Sequence, residues 1–234
     1  MKIALFGYGK MGRMIEGIAL ARGHQITAKI DIGNRREIDF SQIDLVIDFS
    51  VPEAAVSNIR LALKQGIPVV SGTTGWLENY QEIVDYCKKV NGSFLYASNF
   101  SLGVNLFFAL NNQLARMIGP HKHYQVSIEE IHHTQKQDAP SGTAITLAEG
   151  ILKETDYKGW SLGEANTSEI PITSKRVGDH AGTHIVDYDG PVDQIRIKHT
   201  AHSREGFAEG AVIAAEWLLD RKGVFNMQDV LNLG

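Results

Sequence analysis

The chain has 234 residues, a formal net charge of −4, a hydrophobic fraction of 43% and a charged fraction of 21%. These values are ordinary for a globular protein, and the acidic balance argues against nucleic-acid binding, which needs a basic face. The single cysteine, Cys87, excludes an intrachain disulfide, and its setting predicts a half-buried apolar position on a helix. Since no apolar run approaches the ~20 residues of a membrane span, we expect a cytoplasmic protein with no membrane partner.

Strands alternate with helices in the first part of the chain. Short apolar runs predict strands at residues 2–6, 25–30, 44–49, 67–71 and 93–97. Helical spacing of apolar residues predicts helices at residues 12–22, 52–65 and 79–90. This alternation predicts an α/β fold with a doubly wound parallel sheet and helices on both faces.

The pattern changes after about Leu102. Helices are predicted at residues 104–117 and 143–153, and strands at 125–131, 172–177, 184–188 and 194–200. Consecutive strands without intervening helices predict a second α+β domain built on a mixed sheet. An apolar helix at residues 207–219 is expected to return to the first sheet. We therefore predict one domain at residues 1–103, completed by 205–234, and a second at 104–204.

A glycine motif separates the first strand from the first helix. The G-x-G-x-x-G pattern comprises Gly7, Tyr8, Gly9, Lys10, Met11 and Gly12. Its glycines allow a tight turn, close approach of a pyrophosphate and close packing of helix and strand, while the helix start offers free N–H groups. A glycine-rich turn without a ligand is the alternative. The context favours a dinucleotide cofactor, NADH or NADPH.

The residues that follow the second strand bear on which of these two cofactors is bound. Asp31 can accept hydrogen bonds from ribose hydroxyls, which favours NADH. Arg35 and Arg36 follow shortly and could pair with a 2′-phosphate, so use of NADPH stays open.

Two further loops follow predicted parallel strands, at the strand ends where ligands bind in open α/β sheets. Their small residues and backbone groups suit a nicotinamide and its ribose, although either loop alone could be a simple turn. The predicted cofactor contacts are Gly72, Thr73, Thr74, Ala97, Ser98, Asn99 and Phe100.

The segment from His132 to Thr143 is the densest in reactive groups. His132, His133 and Lys136 offer proton transfer on a loop after a strand. Ser141, Gly142 and Thr143 lie at a helix start, which suits a carboxylate. Solvated loop histidines are one alternative and a metal pair is another. Adjacent histidines on a strand point to opposite faces, so we expect no metal here.

A second polar cluster occupies the last predicted strand. Arg196 and Lys198 share one face of that strand, and His199 lies on the other. The cations could add positive charge for an acidic substrate, or they could simply form an exposed face. A cation close to Lys136 would lower the pKa of that lysine by repulsion, which would make it a better proton donor near neutral pH.

These motifs together resemble the dihydrodipicolinate reductase family. The most specific match is the segment H-H-x-x-K-x-D-A-P-S-G-T from His132 to Thr143. Supporting matches are the glycine motif, Asp48-Phe49-Ser50, Gly72 to Gly75, Asn99-Phe100-Ser101, Arg176-x-Gly178, Gly182-x-His184 and Arg204 to Ala211. The resemblance covers essentially the whole chain, although the segment after Asp31 is shorter than in longer members.

The resemblance implies an N-terminal Rossmann domain and a second domain that binds substrate and builds a homotetramer through its sheet. It implies reduction of 4-hydroxy-tetrahydrodipicolinate to tetrahydrodipicolinate by NADH or NADPH, with release of water, in lysine and diaminopimelate biosynthesis. His132 matches the family's proton donor/acceptor and Lys136 its proton donor. His133, Gly142 and Thr143 match substrate-binding positions.

Two other classes compete with this interpretation. Another two-domain reductase, such as a homoserine or semialdehyde dehydrogenase, would explain the cofactor motifs. The phosphorylating semialdehyde enzymes need a nucleophilic cysteine, however, and Cys87 on a helix does not fit. A nucleotide-sensing module without catalysis would explain the glycine loops but not His132, His133 and Lys136.

Overall fold

The computed structural model describes residues 1–31 and 38–233. The chain divides into two compact units, Met1–Leu102 with Glu205–Gly234, and Gly103–Arg204. Arg35 and Arg36, predicted as possible contacts to a 2′-phosphate, lie outside the described residues. Among the described residues, no helix has the length and apolar character needed to cross a membrane.

The first unit contains a parallel six-stranded sheet in the order β11-β5-β4-β3-β1-β2. Its strands are β1 Lys2–Phe6, β2 Gln25–Ile30, β3 Leu45–Asp48, β4 Val69–Ser71, β5 Ser93–Tyr96 and β11 Gly223–Phe225. The central strands are short and almost wholly apolar because both of their faces are buried.

Helices cover both faces of this sheet. They are α1 Lys10–Ala21, α2 Pro52–Lys64, α3 Tyr80–Lys89, α6 Glu205–Leu218 and α7 Met227–Leu231. Successive strand residues face opposite helical layers. Ile3 and Leu5 pack with α1, α6 and α7, whereas Ala4 and Phe6 pack with α2 and α3. The predicted doubly wound parallel sheet is confirmed, and α6 packs on the same face of this sheet as α1.

The second unit is a mixed five-stranded sheet in the order β10-β9-β6-β8-β7. Its strands are β6 Gln125–His132, β7 Gly159–Leu162, β8 Glu169–Arg176, β9 Thr183–Asp189 and β10 Gln194–Thr200. Strand β6 pairs parallel with β8 and antiparallel with β9, which confirms the predicted mixed sheet. In the described part of the chain, two helices complete this unit. They are α4 Leu102–Ile118 and α5 Gly142–Leu152.

Both of these helices pack on one face of the mixed sheet, which we call the covered face. Phe107 of α4 and Leu147 of α5 are buried there with Ile128, Ile172 and Val186. The alternate strand residues point to the opposite, open face, on which Glu129 pairs with Lys175 and Arg196 with Asp187. The strand parity therefore decides which polar residues are enclosed and which are exposed.

Several elements differ from the sequence predictions. The helix predicted from residue 12 begins at Lys10. Strands β7 and β11 and helix α7 were not predicted; they are short and only partly buried, so they carry little hydrophobic pattern. Cys87 was expected to be half-buried, but it is fully buried between α3 and the sheet.

Candidate active site

The glycine motif forms a tight turn between β1 and α1. Gly7 has a φ of +89°, and a Cβ there would lie 2.1 Å from the carbonyl oxygen of Phe49. A Cβ on Gly12 would lie 2.4 Å from the carbonyl oxygen of Gly7. A Cβ on Gly9 would meet nothing within 4 Å, so the backbone there borders open space at the start of α1. Close packing requires Gly7 and Gly12, while Gly9 leaves room for a ligand.

A cavity of about 410 Å³ opens beside this turn. Its lining comes from Gly7, Tyr8, Gly9, Ile30, Asp31, Phe49, Ser50, Val51, Ala54 and Asn58. The cavity lies at the carboxyl ends of β1, β2 and β3, where the strand order reverses, which is where ligands bind in open α/β sheets. The cavity, the uncapped start of α1 and the Asp31 carboxylate fit one end of a dinucleotide cofactor.

Asp48, at the end of β3, ties the loops around the cavity together. Its side chain is fully buried and accepts hydrogen bonds from Ser50 Oγ at 2.7 Å and Thr73 Oγ1 at 2.8 Å. Ser71 Oγ and Asn58 Nδ2 also donate, each at 3.0 Å. Burial raises the pKa of the Asp48 carboxyl, and these donors oppose that rise. The carboxyl thus joins the Gly72–Thr74 loop to the loop that follows β3.

The remaining predicted cofactor residues lie at the same edge of the sheet or on α1. Gly72 packs closely, since a Cβ there would lie 2.3 Å from the Phe49 ring. Lys10 and Met11 begin α1. Thr74 and Ser98 are exposed and Ala97 is partly exposed, which leaves them available to a ligand. Asn99 Oδ1 accepts a hydrogen bond from the Ser101 amide, and Phe100 is buried against the Phe49 ring.

The second unit places a buried carboxylate–histidine pair at the end of β6. Glu130 and His132 share the covered face, and Glu130 Oε2 lies 2.6 Å from His132 Nδ1. Glu130 Oε1 accepts hydrogen bonds from Ser174 Oγ at 2.7 Å and Arg176 Nη2 at 3.1 Å. Burial alone would raise the pKa of Glu130, but the donors around it, His132 foremost, hold that pKa well below its ordinary value.

A second histidine packs on this pair. The ring of His184, from β9, meets the His132 ring edge-on at a centroid distance of 5.0 Å. Its Nε2 lies 3.1 Å from Ser141 Oγ. Burial, and then repulsion by His132, lower the pKa of His184 to about 3, so this imidazole is neutral at neutral pH.

Lys136 lies on the loop between β6 and α5. Its Nζ is 2.6 and 2.7 Å from the two carboxylate oxygens of Asp138, so the group nearest the ammonium is an anion rather than the expected cation. Arg176 Nη2 donates to the carbonyl oxygen of Asp138 at 2.6 Å and Nε to that of Lys136 at 3.3 Å. The same guanidinium that contacts Glu130 therefore also holds the lysine loop.

Three of the other predicted substrate residues, Ser141, Gly142 and Thr143, lie at the start of α5. Ser141 caps that helix, because its Oγ accepts a hydrogen bond from the Ala144 amide at 3.2 Å. Gly142 and Thr143 form the first turn; Gly142 is exposed and Thr143 is partly exposed. His133 Nε2 lies 3.3 Å from Arg204 Nη2. The start of a helix is a favourable place for a carboxylate, because its N–H groups and its dipole attract negative charge.

The sequence did not predict the groups that enclose His132. The sequence interpretation gives Glu130 no catalytic or substrate-binding role, and it names Arg176 and His184 only as positions of the family resemblance. Glu130, His132 and His184 are metal-ligand types with donor atoms within 4.8 Å of one another. In this structure Glu130 contacts His132, and His184 contacts Ser141.

The cluster predicted on the last strand divides between the two faces. Arg196 Nε bonds Asp187 at 2.6 Å on the open face. Lys198 lies on the same face, opposite Ile185. Only His199 lies on the covered face, opposite His184. Of the two possibilities for Arg196 and Lys198, the structure agrees with an exposed strand face, since strand parity directs both side chains away from His132.

The fold and these two clusters define a class of protein. A doubly wound parallel sheet with a dinucleotide cavity, in one chain with a mixed-sheet unit that carries proton-transfer groups, is typical of a nicotinamide-dependent oxidoreductase. The profile described as "Dihydrodipicolinate reductase, N-terminus" matches residues 1–100, and the corresponding C-terminus profile matches residues 103–231. The chain belongs to the dihydrodipicolinate reductase family.

Individual relatives agree with this assignment. The chain is 56% identical over 235 residues to the 4-hydroxy-tetrahydrodipicolinate reductase of Christiangramia forsetii, covering 99% of this chain and 98% of that protein. It is 35% identical to the enzyme of the same name from Archaeoglobus fulgidus, covering 99% and 100%. A dipicolinate-bound dihydrodipicolinate reductase from Paenisporosarcina sp. TG-14 has the same fold, with a TM-score of 0.78, 21% identity and 98% coverage of both chains.

Proposed function

We propose that this chain reduces 4-hydroxy-tetrahydrodipicolinate to tetrahydrodipicolinate with NADH or NADPH, in lysine and diaminopimelate biosynthesis. One hydride and one proton enter the substrate, and one molecule of water leaves. The observation that carries the proposal is the 56% identity to a 4-hydroxy-tetrahydrodipicolinate reductase along nearly the full length of both chains.

The first unit is assigned to the cofactor, which supplies the hydride when bound. The free N–H groups at the start of α1 suit the pyrophosphate, and Asp31 at the cavity edge suits a ribose with a free 2′-hydroxyl. The loops at Gly72–Thr74 and Ala97–Phe100 suit the nicotinamide half. This arrangement favours NADH, or dual use of NADH and NADPH.

The second unit is assigned to the substrate. His132 and Lys136 carry the proton that balances the hydride, since both are titratable groups, one at the end of β6 and the other on the loop that leads to α5. His133, Ser141, Gly142 and Thr143 form the cradle for the substrate carboxylates. The dipole of α5 favours negative charge at this helix start, and the Arg204 guanidinium beside His133 adds a cation.

The open face of the mixed sheet is assigned to a homotetramer. Within this unit, the two described helices both pack on the other face. The open face mixes cations and anions, such as Lys175 with Glu129, and so can pair with its own copy. Thr173→Arg, on the open face, is expected to reduce the mass of the assembly measured by light scattering. Gln113→Arg, at an exposed position of α4, is not expected to change that mass. A monomeric wild-type protein would contradict the assignment.

A cytoplasmic location remains a prediction of the sequence.

The reaction is tested by the absorbance decay of NADH and of NADPH with freshly generated 4-hydroxy-tetrahydrodipicolinate. Rapid, substrate-dependent decay is expected, and the ratio of the two rates measures the contribution of Asp31. If folded protein binds the nucleotide but shows no decay with either cofactor, the chain is a nucleotide-sensing module rather than a reductase.

A further inference from the structure

The Glu130 carboxylate is fixed in one orientation. It is fully buried, and its Oε1 accepts three hydrogen bonds, from Ser174 Oγ, Arg176 Nη2 and the amide of Ser141. These donors belong to β8 and to the cap of α5, so the oxygen is held from two elements. The other oxygen, Oε2, is left to face His132 Nδ1 at 2.6 Å.

This orientation decides where His132 carries its proton. The contact lacks hydrogen-bond geometry, but two buried acceptor atoms cannot lie 2.6 Å apart without a proton between them. An ionised carboxylate has no proton to offer, so Nδ1 is the protonated nitrogen. In the neutral imidazole the lone pair then lies on Nε2. The edge-on contact with the His184 ring restricts rotation of the His132 ring, which would exchange the two nitrogens.

Space is kept open beside Nε2. The neighbouring residue is Gly182, with a φ of +151°, and a Cβ there would lie 3.2 Å from His132 Nε2 and 3.4 Å from Cδ2. A side chain at this position would crowd the edge of the ring that Glu130 does not occupy. Glycine leaves that edge accessible to another molecule.

We propose that Glu130 is a positioning residue that holds His132 with its proton on Nδ1, so that Nε2 is the nitrogen that exchanges a proton with the substrate. This inference rests on the proposed function for the identity of the reaction. Nε2 of the neutral ring first takes up a proton from solvent, which gives the imidazolium. When Nε2 passes that proton to the substrate, the N–H electron pair stays on Nε2 and an electron pair of the substrate forms the new bond to hydrogen. Glu130 keeps its charge throughout and stabilises the imidazolium that precedes the transfer.

Glu130→Gln tests the proposal because an amide has only one accepting oxygen. The three donors around Oε1 require that oxygen, so the NH₂ group must face His132 Nδ1. Nδ1 then becomes an acceptor and the proton moves to Nε2. We expect kcat to fall about 10²- to 10⁴-fold, as is usual when a catalytic histidine is held in the wrong tautomer, while the KM for the nucleotide is unchanged.

The matched control is Glu149→Gln, the same change at an exposed position of α5, which should leave kcat and both KM values unchanged. A kcat in Glu130→Gln equal to that of the control would overturn the proposal. A fall in kcat with an equal rise in the KM for the nucleotide would also overturn it, because that pattern indicates general disruption.

A spectroscopic measurement is independent of turnover. Long-range ¹H–¹⁵N spectra of ¹⁵N-histidine-labelled protein distinguish the two tautomers of each ring, and the signal of His132 is the one lost in His132→Gln. We expect an Nδ1–H ring in the wild type and an Nε2–H ring in Glu130→Gln. An Nε2–H ring in the wild type would overturn the proposal, whether or not the protein oxidises NADH, and also if Glu130→Gln did not fold.

Discussion

Replacing either of two glycines of α6 by alanine should change the free energy of unfolding in opposite directions. A Cβ on Gly210 would lie 1.7 Å from the carbonyl oxygen of Phe100, whereas a Cβ on Gly206 would meet only Ser101 Oγ, at 3.7 Å. An ordinary contact needs about 3.4 Å, so Gly210→Ala must move helix or loop by roughly 1.7 Å. Gly206→Ala requires no movement and reduces the freedom of the unfolded chain.

The magnitudes follow from what this movement disturbs. The face of α6 at Gly210 also carries Ala211, Ala214 and Leu218, all fully buried, so a shift opens gaps along the helix. We expect Gly210→Ala to lower the free energy of unfolding by about 3 kcal/mol, after a helix-propensity gain of about 1 kcal/mol. Gly206→Ala should raise it by about 0.5 kcal/mol.

Urea unfolding, followed by tryptophan fluorescence, measures both variants against the wild type. Because Phe100 belongs to a predicted cofactor loop, Gly210→Ala should also weaken NADH binding, measured by fluorescence titration, whereas Gly206→Ala should not. Equal stability of the two variants would show that the loop at Phe100 yields without cost, and would refute the reasoning.

Three further outcomes are expected. Lys136→Ala should lower kcat about 10²-fold in the NADH assay while NADH binding is retained, and exposed Lys153→Ala should have no effect; full activity of Lys136→Ala would remove this lysine from the mechanism. Asp48→Ala should lower the free energy of unfolding by about 3 kcal/mol in urea, because four donors lose their acceptor. The pKa of Glu130 lies below its ordinary value of 4.5, so its contribution to stability is complete above about pH 4.5 and is lost as the pH falls; Glu130→Gln should therefore unfold with a shallower acid dependence, and an unchanged acid limb would contradict the assigned contacts.

The cofactor half could be predicted well from the sequence because its signals are local. A glycine motif between a buried strand and a helix needs only neighbouring residues to be recognised, and Gly7 and Gly12 pack as that motif requires. Asp48 was harder to interpret. Ser50 is two residues away along the chain and Asn58 lies on α2, but Ser71 and Thr73 reach Asp48 only through the parallel pairing of β3 and β4.

The second unit shows what local pattern leaves undetermined. Alternation along β6 places Glu130 on the same face as the apolar residues Val126 and Ile128, and Glu129 on the opposite face. It does not show which groups meet Glu130 there, because that depends on where α4 and α5 pack and on the register that sets Glu130 between Ser174 and His184. One carboxylate becomes a buried partner of His132, and its neighbour pairs with Lys175 on the open face. The same parity places His199 beside His184 and turns Arg196 away. The reactive residues could therefore be predicted from their types and spacing, whereas the groups that orient them follow from strand pairing over more than forty residues of chain.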